Sequence, residues 1–508
     1  MSEVKRKYRV PNAVVNYYLV LMFTVFPLFF TNSFTNIRHD KYYLFLGLST
    51  AVIVVGITAF LLNYFNNEMN EDKWYKSLSV TDIALGAFVL VCVVSTVFSD
   101  YTLSCVSGEQ GRNVGLIFII AAALVYAVIS RLYIQKDYVF FFMAGGSLAV
   151  YILAVLNFFY IDPLSIYSGY GEEIINDFTS TIGNKNIMSA FCCLTIPLFM
   201  VMYMNTKNRY LKYTCLLSAG AGFSAMLCAD SESGFLGLVP AAALILLYYS
   251  RRAVMVRKFF TVLCAMFICA KLLSIFPLFT DNNKKDLGTI QKFFVYGNLS
   301  YVLIGAALAA ALIMFFIERK TVDKKLSKAV PITLSVIYAL VLGVIAALFI
   351  RYSFFDTESK LEGIMTFFRY NEKWGTHRGF MWIKSWEIFK SGGIKNALTG
   401  YGPDTFYYAF APYFSELSDK FGDSSTNCAH NELLNYLITT GFLGLSAYLT
   451  FVVSAIARAV KSAEKSFLAI VFAAPVLCYL IQSIVNISNP IVTPFLFIYI
   501  GLIEAVKS

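Results

Sequence analysis

Apolar runs of about twenty residues recur along this chain, separated by short stretches that carry most of its charge. A helix rises about 1.5 Å per residue, so each run is long enough to cross a hydrocarbon layer about 30 Å thick. Lipid cannot satisfy a bare backbone, which favours single helices and excludes open sheets. The runs fall at roughly 14–32, 42–66, 80–98, 114–130, 138–162, 187–204, 210–229, 234–250, 258–279, 301–317, 330–350, 433–456, 467–485 and 490–505. The pattern predicts an all-α polytopic membrane protein with about 12–14 transmembrane helices, the lower count applying if the short runs 187–204 and 234–250 are re-entrant or tilted. The first run is long and aromatic and lacks a small-residue cleavage site, so it reads as a span, not a cleaved signal.

Three parts follow: an N-terminal transmembrane bundle of about eleven spans over 1–350, an extracytoplasmic loop over 351–429, and about three closing spans over 430–508. The loop is too long for a bare connection and is expected to carry short amphipathic helices of its own. Within it, Thr376 can cap a segment whose Trp382, Ile383, Trp386 and Phe389 share one helical face, with Lys384, Glu387 and Lys390 on another. That helix either lies on the membrane surface with its aromatics at headgroup depth beside the histidine loop, or packs on the bundle as a lid with no chemical role.

Composition agrees: 58% of the side chains are hydrophobic and 14% charged, against about a quarter charged in soluble domains. Threading fourteen spans puts Lys5, Arg6, Lys7, Arg9, Lys207, Arg209, Arg251, Arg252, Arg257, Lys258, the stretch Arg319 to Lys328 and the stretch Arg458 to Lys465 on one side. By the positive-inside rule that side is cytoplasmic, as are both termini. The net charge of +10 is accounted for by this bias and by contact with anionic membrane lipid, with no nucleic-acid partner implied. Eight of the ten cysteines lie in or at apolar runs and read as packing residues, whereas Cys105 and Cys428 fall in outer loops, where a disulfide between them stays open. No C-x-x-C pair points to a metal.

The same threading places all three histidines, His39, His377 and His430, on the opposite side, with Arg112, Lys185, Arg369 and Arg378. A site there has no ATP, so group transfer needs an already activated donor. Arginines keep their charge at any working pH and can grip two phosphate oxygens at once, which suits a pyrophosphate. His430, in Cys428-Ala429-His430-Asn431, stands where a polar loop meets an apolar run and suits removal of a proton from an attacking hydroxyl. The plainer alternative makes it a structural residue at a helix start capped by Asn431. Lys271 interrupts an apolar run and reads as snorkelling or paired, Asp404 as a support for the adjacent turn, and Gly400-Tyr401-Gly402 as a tight turn or a phosphate-binding one.

Arg378 and Trp382, then Gly400-Tyr401-Gly402-Pro403 before Phe406, then Ala429-His430-Asn431 and Gly441-Phe442-Leu443-Gly444 resemble the signature of the O-antigen ligase and Wzy-type polysaccharide polymerase superfamily. Two upstream segments agree with that likeness: Gly111-Arg112-Asn113-Val114-Gly115 and Gly183-Asn184-Lys185-Asn186. The resemblance implies a metal-independent glycosyltransferase without a cofactor, set in the bacterial cytoplasmic (inner) membrane with its site outward. Such an enzyme moves a glycan from undecaprenyl pyrophosphate onto an acceptor hydroxyl of a glycan, lipid or cell-wall partner. It implies His430 as the catalytic base, Arg112, Arg378 and Lys185 on the pyrophosphate, and Asn186, Gly400, Gly402, Asn431 and Trp382 in support. The motifs serve ligase and polymerase alike. The sequence departs from the family at Ser231-Glu232-Ser233-Gly234, where Ser-Arg-Gly is usual: either another cation such as Lys185 or Arg369 substitutes, or this branch handles a differently charged donor. A transporter or flippase of lipid-linked sugars without catalysis is the alternative, favoured by an inverted repeat or midplane charges, and a non-catalytic scaffold is a third.

Overall fold

The computed structural model describes residues 9–65, 78–275, 284–320, 325–361 and 363–506. Lys5, Arg6 and Lys7, the last residue of the run 42–66, the end of the run 258–279 and residues 321–324 of the basic loop lie outside the described residues. The long helices are α1 (Arg9–Phe23), α2 (Ile37–Phe65), α3 (Val80–Val97), α4 (Leu116–Leu132), α5 (Asp137–Phe158), α6 (Lys185–Asn205), α7 (Arg209–Cys228), α8 (Ser233–Tyr249), α9 (Ala253–Leu272), α10 (Leu299–Lys320) and α11 (Ala329–Ile350). They continue with α12 (Trp374–Ser391) in the large loop, then α13 (Glu432–Ser462), α14 (Phe467–Gln482) and α15 (Thr493–Ala505). Among the described residues the strands are β1 (Phe178–Thr179) and β2 (Gly183–Asn184), a two-residue antiparallel pair leading into α6. The protein is an all-α polytopic membrane protein. Among the described residues, 11 helical stretches have the length and apolarity to cross a membrane, and α4, α8 and α15 are shorter apolar helices that complete the predicted set.

The run 187–204 is no re-entrant segment. Helix α6 extends over 21 residues, and every position of its apolar window is buried, as expected of a helix that is apolar all round. It forms the axis of the bundle, with α7, α8, α9 and α14 packed about it. In α11, by contrast, no residue of the apolar window is buried, and apart from its contact with α8 its surface is left for lipid. Charges within the bundle are tied down. Lys41 is fully buried and donates to the carbonyl oxygens of Phe26 (3.0 Å), Pro27 (2.8 Å) and Phe29 (3.1 Å) around the end of the preceding helix, where Pro27 also accepts the Thr181 hydroxyl at 2.7 Å. Lys271 does not stand at the midplane but near the end of α9, and donates to the carbonyl of Val295 at 3.1 Å.

The large loop has a small core of its own, built from Phe380, Met381, Ile388, Phe406, Phe410 and Leu417 and closed by Ala429 and Ile438. This core turns α12 away from the face expected of it: Gly379, Phe380, Met381, Ser385 and Ile388 are buried, while Trp386 is exposed. Thr376 makes no cap, because Gly375, Thr376 and His377 all adopt left-handed backbone angles and regular helix begins only after them. Helix α12 lies on the loop's own helices and on α13.

Candidate active site

Helix α13 starts from Asn431, whose side chain accepts the backbone N–H of Leu434 at 2.9 Å and so caps the helix as expected. Just before the cap, His430 adopts a left-handed backbone with φ 48°, a conformation uncommon outside glycine that must be held by its surroundings. Two contacts hold it. Asn435 accepts the N–H of Ala429 at 3.3 Å, and the Trp382 indole donates to the carbonyl of Ala429 at 2.9 Å. Trp382 and His430 are thus joined through one peptide unit.

Arg112 lies in the turn after α3, ahead of α4. It is buried, and its Nε donates to Asp404 Oδ1 at 2.7 Å while one terminal nitrogen donates to the carbonyl of Ser488 at 3.3 Å. The other terminal nitrogen, Nη1, is buried without a hydrogen-bond partner among the described residues. Burial works against the Arg112 charge, and the Asp404 carboxylate together with Cys428 more than offsets it, raising the guanidinium pKa above its ordinary value. Asp404 also accepts the backbone N–H groups of Glu109 (2.9 Å) and Val114 (3.1 Å). It therefore organises the arginine turn instead of the adjacent Gly400–Gly402 turn, where Thr405 bonds the Gly402 carbonyl at 2.6 Å.

Arg378 opens the regular part of α12. Its guanidinium makes no hydrogen bond or ion pair to the protein among the described residues, and burial lowers its pKa, with Cys428 and Glu232 acting in the opposite sense. Cys428 is the meeting point. Its sulfur pairs with the His430 side chain and stands within electrostatic reach of Arg112, Arg378 and also Arg38. Burial would push the Cys428 thiol up, yet His430 and Arg112 together hold it down at about 6. Arg112, Arg378 and His430, far apart in sequence, are gathered at one end of the bundle. His430 opens onto a cavity of about 330 Å³ lined with polar groups from Glu109, Gln110, Tyr407, Ser425 and Asn427.

Other expected residues play different parts. Lys185 pairs with Asp177 at 2.7 Å, and Asn186 is wired to Ser231 (2.8 Å) and Asn486 (3.1 Å), so both belong to the neighbouring α6 entry. Arg369 donates to the carbonyls of Asp356 (3.0 Å) and Ser359 (2.6 Å) inside the loop. Lys185 stands within electrostatic reach of Asp230, in the segment where the family's arginine is absent, whereas Arg369 is held inside the loop. Arg38, which stands beside Arg112 and within electrostatic reach of Cys428, was not singled out from the sequence. The signal for it was a cation at the membrane end where the positive-inside rule leaves few.

The Gly400–Gly402 turn is a clamp. The N–H groups of Tyr401 and Gly402 bond the carbonyls of Ile438 (3.1 Å) and Thr439 (2.8 Å) in α13, so neither is aimed at a phosphate. A Cβ at Gly400 would lie 2.3 Å from the Thr439 backbone, and one at Gly441, which kinks α13, 2.4 Å from Leu398. Cys105 and Cys428 are both buried free thiols, so the disulfide left open above is not formed. His377 stacks on Phe421 and pairs with Asp423 at 3.2 Å, and His39 is exposed.

Residues 293–449 match the family model described as O-antigen ligase, a stretch running from just before α10 through the whole loop into α13. It contains Arg378, Asp404, Cys428 and His430 and leaves Arg38, Arg112 and Lys185 outside. No curated protein matches the chain.

Proposed function

From the premise that this membrane protein belongs to the O-antigen ligase-like superfamily, we propose that it transfers a glycan from a polyprenyl pyrophosphate onto an acceptor hydroxyl. The reaction takes place at the outer face of the cytoplasmic membrane, in synthesis of a cell-envelope polysaccharide. The observation that carries this reading is the convergence of Arg112, Arg378 and His430 around Cys428. The acceptor oxygen attacks the anomeric carbon and its proton passes to the His430 imidazole. As the new glycosidic bond forms, the bond from that carbon to the pyrophosphate oxygen breaks and its electron pair leaves with the polyprenyl pyrophosphate. Arg378, free of protein partners, and the unpaired Nη1 of Arg112 stabilise the charge that develops there. Lys185 and Asn186 act at one remove, fixing the β2–α6 entry beside the site. Transport without chemistry gains no support from Lys271, which pairs with carbonyls at the end of α9.

The test is release of polyprenyl pyrophosphate from a lipid-linked glycan by the purified protein in nanodiscs, with His430→Ala and Arg378→Ala beside it. Both variants are expected to lose at least a hundredfold in rate. Wild-type turnover in either one would remove that residue from the chemistry, and in both would end the catalytic reading. In cells lacking the gene, short lipid-linked units mark a polymerase and full-length unanchored chains a ligase.

A further inference from the structure

Arg38 stands in the first turn of α2 and donates through one nitrogen to the carbonyl of Gly111 at 3.1 Å. Its other donors have no partner in the protein among the described residues, and its neighbour Arg112 repels it. Asp40, the closest acid in sequence, accepts the N–H (2.8 Å) and hydroxyl (2.9 Å) of Thr31 instead. Two guanidiniums held together beside a third, with a single carboxylate for Arg112 and none for Arg38, form an arrangement that an anion with several oxygens would relieve.

The surroundings say which anion. Arg38 lines a cavity of about 240 Å³ whose remaining wall is largely apolar, with Phe34, Ile37, Phe178, Ile187 and Ile491. The polar cavity at His430 lies on the other side of the Glu109–Gly111 turn: Gly111 lines the apolar one, Glu109 and Gln110 the polar one. A ligand with a charged centre, one apolar arm and one polar arm fits this division.

Resting on the function proposed above, we propose that Arg38 is a third pyrophosphate ligand, holding the phosphate that carries the prenyl chain, and that the apolar cavity beside it receives the first isoprenoid units. The sugar is thereby turned toward His430.

The test measures binding of farnesyl pyrophosphate and of inorganic pyrophosphate to the full-length protein in nanodiscs. It compares wild type with Arg38→Gln, Arg38→Lys, Arg378→Gln and Thr35→Trp, a substitution at the exposed rim of the apolar cavity. Arg38→Gln should weaken both probes about tenfold or more, Arg38→Lys less. Thr35→Trp should weaken only the farnesyl probe. Affinities of Arg38→Gln equal to wild type, with Arg378→Gln impaired, overturn the role of Arg38 and leave the proposed function standing. Equal losses of both probes in Thr35→Trp overturn the prenyl assignment. Failure of wild type to bind either probe overturns the function and this inference with it. Should Arg38→Gln fail to fold, Arg38→Lys and Thr35→Trp decide the outcome.

Discussion

The indole nitrogen of Trp382 donates to the carbonyl oxygen of Ala429 at 2.9 Å, tying the loop helix α12 to the peptide just before His430. Because His430 is held in a left-handed backbone conformation, release of this one bond loosens the imidazole without touching it. Trp382→Phe keeps most of the ring packing and loses the donor. It is expected to cost about 1 kcal/mol of stability and to lower kcat several-fold with little change in KM for the donor. A variant with kcat intact would show that the bond does not position the histidine.

Asp404, next to the loop's Gly400–Gly402 clamp, holds the distant Glu109–Val114 turn and the Arg112 that it carries. Removing its carboxylate leaves Arg112 buried and uncompensated, so Asp404→Ala should destabilise the protein by about 3–5 kcal/mol. The double variant Asp404→Ala with Arg112→Met should regain much of that stability in a thermal melt and remain inactive. If Asp404→Ala melts like the wild type, the carboxylate is not the charge that keeps Arg112 in place.

Much of this arrangement was legible in the chain, and the reasons for the rest are specific. The apolar runs could be placed because lipid permits few alternatives, and Asn431 was a cap by residue type and position. The gathering of Arg112, Arg378 and His430 rested on resemblance and not on spacing. The face of α12 was misplaced because Phe380, Met381 and Ile388 answer to Phe406, Phe410 and Leu417, partners brought up by a later turn that periodicity does not foresee. Arg38 reads locally as an ordinary cation at a helix start and gains meaning only when Gly111 and Arg112 arrive beside it, 73 positions away in the case of Gly111. Asp404 likewise accepts donors 290 to 295 positions distant.

Glycine is required where the loop docks. At Gly402, φ is +120° and a Cβ would fall 2.2 Å from Cys105 Sγ, whereas at Gly422 φ is +79° and nothing stands within 4 Å. Gly422→Ala should therefore cost only about 1 kcal/mol, the strain of the left-handed cap. Gly402→Ala should abolish folded protein in the membrane, and adding Cys105→Ala should restore it in part, since Ser99 also lies 2.8 Å from that Cβ. Full expression and activity of Gly402→Ala alone would contradict the clamp.

The Cys428 thiol supplies the pH test. Burial disfavours its thiolate, but His430 and Arg112 hold the folded value at about 6, against 9.0 for a free thiol. A group whose pKa is depressed on folding adds stability that is fully present above the free value and fades as the pH falls toward the folded one. Wild type should therefore gain stability over Cys428→Ser as pH rises from 6 to 9, and the difference should vanish below 6. Thiolate absorbance in the ultraviolet should show the matching step near pH 6 in wild type and not in the serine variant. A stability difference that stays flat across this range would mean that the sulfur remains a neutral thiol, and that the charge of the surrounding arginines is not felt at Cys428.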